Sequence, residues 1–120
     1  MFRVGFCTYI ATNKRNGTLY TGHTDNGSAR ALQHAHGTFD GFAKTYGCRH
    51  IVWLEEHDSR NAAFTRERRI KEWTRAWKLK LIETCNPHWV DIFACPVWPL
   101  PDPERWPDLH AQCLAFALAR

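Results

Sequence analysis

Residues 2–11 alternate strictly, and that alternation constrains the fold more than any other feature of the chain. Phe2, Val4, Phe6, Thr8 and Ile10 fall on one side, and Arg3, Gly5, Cys7 and Tyr9 on the other. Period two with aromatic and β-branched residues predicts a half-buried strand. Asn13-Lys14-Arg15-Asn16-Gly17 is a strong turn signal, and Thr18 to Thr21 resumes extended character. The two runs make a β-hairpin whose parity matters. Any even-length loop sets Tyr9 and Tyr20 on one face, because side chains alternate along each strand. A two-residue Asn16-Gly17 turn leaves the two residues about 13 Å apart along the strands. A four-residue loop at 14–17 makes them diagonal neighbours at roughly 7 Å, and this is the expected register.

Helix signals follow. Thr24 to Ser28 offers several N-caps, and Ala29 to Ala35 reads as a helix on which Arg30 and His34, four apart, project together. Gly37, Gly41 and Gly47 mark a loop, and residues 50–56 predict a third, more buried strand. Asp58 or Ser59 caps a helix through Trp73; Thr74 starts another that reaches Thr84, where Asn86-Pro87 stops it. Five of the six prolines fall from Pro96 to Pro107, a stretch that can be neither helix nor inner strand and so runs as a strap. Asp108 to Ala119 then closes as a short helix with Leu109, Cys113 and Phe116 inward. The fold class is α+β: a small three-stranded antiparallel sheet flanked by helices, in the order β-β-α-β-α-α. Residues 1–93 form the domain, and 94–120 a Pro-rich strap and C-terminal helix packed on it.

Several function classes drop out. Six Trp and seven Phe in 120 residues argue for a packed core rather than a disordered tail. The five Cys are odd in number, far apart and without a C-x-x-C pair, which argues against a disulfide framework and a zinc ribbon. Reduced thiols and a cytoplasmic location are expected. The N-terminus lacks a signal-like apolar run, and no stretch approaches the roughly 18–20 apolar residues of a membrane span. Net charge is +4. From Arg66 to Lys80, seven basic residues stand against two acidic ones, which suits nucleic acid as well as it suits a solvated helical face.

Glu67 is the residue that breaks a pattern. Ala63, Phe64, Ile70 and Trp73 make an inward stripe at helical spacing, and Glu67 sits within it. An inward carboxylate must be ion-paired, hydrogen-bonded or bound to a metal. A single carboxylate with waters and a substrate phosphate suits Mg²⁺, which keeps much of its water shell. Arg30 carries fork-shaped donors that match phosphate oxygens. His34 can relay a proton, and Tyr9 or Tyr20 can activate water beside a metal and an arginine. His23…His34-x-His36 raises a zinc site as an alternative, although it lacks cysteine or carboxylate partners at familiar spacings.

In this order, the residues resemble the GIY-YIG nuclease superfamily, especially its small stand-alone members similar to the incision domain of the bacterial excision-repair nuclease. The first motif falls on Cys7-Thr8-Tyr9, which retains only the tyrosine, and the second on Tyr20-Thr21-Gly22, which retains tyrosine and glycine. Arg30 and His34 match the family arginine and histidine, and Glu67, within Thr65-Arg66-Glu67-Arg68-Arg69-Ile70-Lys71-Glu72-Trp73, matches its metal-binding glutamate. Asn86-Pro87-His88-Trp89 matches the terminal asparagine region, and Phe42 to Gly47 the approach to the third strand. The likeness spans roughly residues 2–93; Cys7 and Thr8 depart from it, and 94–120 have no counterpart.

The resemblance implies a divalent-metal-dependent endonuclease using Mg²⁺ or Mn²⁺, held by Glu67. Tyr9 would be the favoured general base, assisted by Tyr20 and His34, while Arg30 would stabilise the pentacovalent phosphate. Lys44, Arg66, Arg69, Lys71 and Asn86 are the expected substrate contacts. DNA is the expected partner, cut with low sequence specificity because so small a domain has little surface for reading base pairs. Single-stranded or branched DNA is favoured, since Trp73, Trp77 or Trp98 could stack on unpaired bases. A non-cleaving DNA-binding module of the same fold is the other reading.

Overall fold

The computed structural model describes residues 5–37, 41–95 and 97–118. Strands β1 (Cys7–Thr12), β2 (Leu19–Thr24) and β3 (His50–Glu56) form one antiparallel sheet in the order β2-β1-β3. Helices α1 (Gly27–His36) and α2 (Phe42–Thr45) lie between β2 and β3, and α3 (Arg60–Lys71), α4 (Arg75–Cys85) and α5 (Pro107–Leu118) follow. The start of the alternating segment, residues 2–4, lies outside the described residues.

The hairpin has the expected register. Tyr9 pairs with Gly22 and Ala11 with Tyr20, so the two tyrosines are diagonal neighbours on one face. The paired strands end at Thr12 and Leu19, one pair sooner than a four-residue loop requires. One side chain and one backbone turn close the gap: Thr18 N–H donates to Asn13 Oδ1 at 3.0 Å, and Gly17 N–H to Lys14 C=O at 2.9 Å.

β1 is buried along its whole length rather than on one face, and it is buried more completely than β3. The reason is topological. As the central strand it has neighbours on both sides and helices over both faces, so even its threonines are enclosed. On one face Cys7, Tyr9 and Ala11 pack with Ala31 of α1, Ala43 of α2, Cys48, Ile51 and Ile92. On the other, Ile10 packs with Val52, Trp53, Ile70 of α3, Ile82 of α4 and Trp89. Ile70 and Ile82 are fully buried, and burial of each such side chain stabilises by about 1.5–3 kcal/mol.

Caps define the helix starts as the sequence suggests. Asn26, Ser59 and Thr74 accept from the backbone N–H groups of Ala29, Ala62 and Trp77. Gly37 ends α1 in the left-handed region at φ 67°. Two expectations differ. The glycine-marked loop contains α2, one helical turn bounded by Gly41 and Gly47, both at positive φ. In α5, Cys113 and Ala117 face inward, whereas Leu109 and Phe116 are exposed, so the inward stripe is one of small residues. None of the helices in the described residues is long and apolar enough to cross a membrane.

Candidate active site

Tyr9 lies at the middle of the central strand and is 1% exposed. Its hydroxyl stands 3.1 Å from His34 Nε2, and its ring centroid 6.2 Å from that of Tyr20 and 5.3 Å from the imidazole. Tyr20 and His34 are 5.7 Å apart, so the three rings form one cluster. Gly22 makes the cluster possible. A Cβ there would sit 2.5 Å from Tyr9 Oη and 2.9 Å from Tyr20 Cε1, so only a residue without a side chain lets both rings approach the strand.

The state of His34 follows from its partners. Its Nδ1 is 2.8 Å from the Cys48 carbonyl, which can only accept, so Nδ1 carries a proton. Burial lowers its pKa below the usual histidine value; the Cys48 carbonyl opposes this, and the Arg30 charge adds to it. A neutral ring protonated on Nδ1 has a free electron pair on Nε2, and Tyr9 O–H therefore donates to it. The Tyr9 phenol is held well above the usual tyrosine range, by burial first and by Tyr20 second, while the hydrogen-bonded Arg30 guanidinium pulls the other way. Tyr20 is also raised, by burial and then by the Glu67 charge, against Arg30 and a hydrogen bond with Tyr9. The Cys7 thiol beneath them is pushed up to about 11 by burial and Glu56, with Arg30 opposing, so it stays protonated at neutral pH.

Glu67 arrives from the other side of the sheet. Helix α3 packs on the face opposite Tyr9, where Thr8 Oγ1 donates to Ala63 C=O at 2.8 Å. Glu67, on the line of Ala63 and Ile70, is 7% exposed. It lies beside the edge strand β2, where Oε1 is 3.0 Å from His23 Nδ1 and Oε2 is 3.7 Å from Lys71 Nζ. Its charge reaches round that edge to Tyr20. Tyr9, Tyr20, Arg30 and His34 thus form a contiguous group, with Glu67 coupled to it across the edge. Phe64 does not join the inward stripe: it is 41% exposed and meets the edge of His23 at 5.3 Å.

The donor set fits a hard cation held by one carboxylate and completed by water and phosphate. It does not fit the zinc alternative. His34 has both nitrogens engaged, His23 faces Glu67, and His36 is exposed. Among the described residues, no three His, Cys, Asp or Glu side chains are grouped to hold a metal.

The expected substrate contacts divide. Lys44 and Arg69 are exposed, and Lys71 sits beside Glu67. Arg66 is committed elsewhere: Nε donates to Glu55 Oε1 at 3.1 Å, and the guanidinium lies 5.3 Å from the Trp73 ring centroid and 5.9 Å from that of Trp53. Asn86 has a structural role: it is 1% exposed, its amide donates to Val52 C=O and Val90 C=O, and its oxygen accepts from Val90 N–H, so it ties α4 to β3. Sequence reasoning missed the Cys48 carbonyl, whose approach depends on α2 and leaves no sequence signal. It also missed the His23–Glu67 pair, which period two could have suggested, since His23 must face away from Tyr20.

Comparison with known proteins adds a second line. The family model described as the GIY-YIG catalytic domain matches residues 5–80. The chain is similar to a UPF0213 protein of Staphylococcus aureus strain Mu3, with 35% identity over 68 residues, 57% of this chain and 83% of the relative. The UPF0213 protein SAV0488 of strain Mu50 matches to the same extent. No solved structure matches.

Proposed function

The chain belongs to the GIY-YIG catalytic domain family, and from that premise we propose that it is a divalent-metal-dependent endonuclease acting on DNA. The observation that carries this reading is the 3.1 Å contact between Tyr9 and a neutral His34 whose other nitrogen is held by Cys48. A phenol with so high a pKa is not a phenolate at neutral pH, so Tyr9 works as a relay. As a water attacks phosphorus, its proton passes to Tyr9 Oη while the phenol proton passes to His34 Nε2, and the ester P–O bond opposite the water breaks, its oxygen leaving with a proton from solvent. The Cys48 carbonyl holds the ring in position and stabilises the imidazolium that forms. Arg30, against Tyr9, meets the charge that grows on the phosphate oxygens. Glu67 would hold Mg²⁺ or Mn²⁺, which when bound supplies Lewis-acid stabilisation of the phosphate.

The substrate is single-stranded or branched DNA, cut with little regard to sequence, at a cytoplasmic location. Lys44, Arg69 and Lys71 are exposed cations, and exposed cations suit contacts to the phosphate backbone. One observation favours the non-cleaving alternative: the His23 imidazole already occupies one oxygen of Glu67. The test is nicking of supercoiled plasmid by the purified chain with Mg²⁺ or Mn²⁺, then comparison of single-stranded, blunt duplex and flap substrates. Metal-dependent nicking lost in Glu67→Gln is expected. DNA binding with no metal-dependent cleavage would refute the enzyme, and strong preference for one duplex sequence would refute the substrate.

A further inference from the structure

Trp77 is the most exposed tryptophan whose neighbours form a surface with it. Its side chain is 61% exposed on α4, although its backbone N–H is fixed by the Thr74 cap. Trp73 stands edge-on to it, with ring centroids 5.9 Å apart and planes at 79°. Together with Lys80, Leu81 and Thr84 they line an open groove of about 480 Å³. The core does not require this indole: Ile82 faces inward from the same helix and is fully buried.

The lining says what the groove suits. It holds two indoles, one cation and no carboxylate. Trp73 is stiffened from behind by the Arg66 guanidinium, itself anchored on Glu55. A rigid aromatic ledge with a lysine beside it matches a flat aromatic ring attached to a phosphate, and stacking tolerates any base because every base has a π-face. The groove lies on the α3 side of the sheet, and Trp73 follows Glu67 by six residues, just past the end of α3 at Lys71. A strand extending a few nucleotides from the carboxylate would reach it.

We propose that the Trp73–Trp77 groove is a stacking site for unpaired bases of a DNA strand, a second nucleic-acid contact on the far side of the sheet from the tyrosines. The nuclease reading explains why a strand should run there; the site itself is tested without cleavage. Anisotropy of a dye-labelled oligothymidylate is measured with the full chain in EDTA, for wild type, Trp77→Phe, Trp77→Leu and Trp77→Ala. Phe should retain binding, whereas Leu and Ala should weaken it about tenfold, within the range of base–aromatic stacking. The Leu variant keeps apolar character without a ring, so a groove that merely docks an apolar protein surface would tolerate it. Leu binding as tightly as wild type overturns the proposal, as does equal competition by blunt duplex or tighter binding of oligouridylate. Self-association in sedimentation velocity that Trp77→Leu abolishes, with strand binding unchanged, overturns it in favour of a second copy of the chain. Intact binding without any nicking by wild type would refute the nuclease and leave the stacking site standing.

Discussion

Gly22→Ala tests whether the cluster of rings is a working site or merely a packed one. The backbone accepts alanine at this position, since Gly22 is not among the residues at positive φ. The obstacle is steric. The new methyl would lie 2.5 Å from Tyr9 Oη and 2.7 Å from Tyr9 Cζ. Carbon contacts need about 3.5–4.0 Å, so the ring tip must move by about 1 Å. Tyr9 is 1% exposed and hemmed by His34 and Tyr20, so no open space receives it. A 1 Å retreat would stretch the 3.1 Å Tyr9–His34 contact beyond hydrogen-bond range. Misplacement on this scale costs about a hundredfold in rate. Overpacking should also destabilise the fold by about 1–3 kcal/mol. Single-turnover nicking with excess enzyme reads the first effect, and urea unfolding the second. Tyr9→Phe removes the most crowded atom, so Gly22→Ala should cost less stability in the Tyr9→Phe background than in wild type. Wild-type cleavage by Gly22→Ala, or strictly additive stability losses, would refute the reasoning.

Glu67→Gln should lower metal-dependent nicking by roughly a hundredfold or more, given the several kcal/mol a metal supplies. It should also abolish the heat of Mn²⁺ binding in calorimetry; unchanged Mn²⁺ binding would remove Glu67 as the ligand. Because burial lowers the His34 pKa, the unfolded chain binds the extra proton first, so stability should be flat above about pH 6.5 and fall on acidification below it. His34→Gln should flatten that slope in urea unfolding at several pH values. The sign reverses in alkali: Tyr9 and Tyr20 are raised, so their contribution is lost as pH climbs past about 10, and absorbance titration should show them ionising later than in denatured chain. Asn86→Ala removes three hydrogen bonds from a buried amide, at about 1 kcal/mol each, and should destabilise by about 2–4 kcal/mol. Its affinity for DNA, measured on folded protein, should be unchanged; a selective loss of binding would return Asn86 to the substrate.

Local chemistry was legible where a short-range rule governs it. Period-two parity put Tyr9 and Tyr20 on one face with their register, helical spacing put Arg30 beside His34, and the caps Ser59 and Thr74 opened α3 and α4. Glu67 stood out as a carboxylate in an apolar stripe, and it is indeed enclosed. Phe64, Leu109 and Phe116 were misjudged because a helical stripe is wider than the surface that covers it. The partners of Arg66 and Asn86 inside the fold were not legible, because charge and polarity alone do not say whether a side chain meets solvent or a group already in the fold.

What only the tertiary structure decided is which of these groups meet, and through what. The centrality of β1 came from β3 pairing on its free side, a contact between residues 38 to 49 positions apart. The protonation of His34 depends on a carbonyl delivered by α2, and the reach of Glu67 on how α3 lies against the β2 edge. Alternation and helical spacing are set by bonds within a few residues, so the amino-acid order alone determines them. Distances between elements are set by packing of the whole core, and no segment of this chain carries that information by itself.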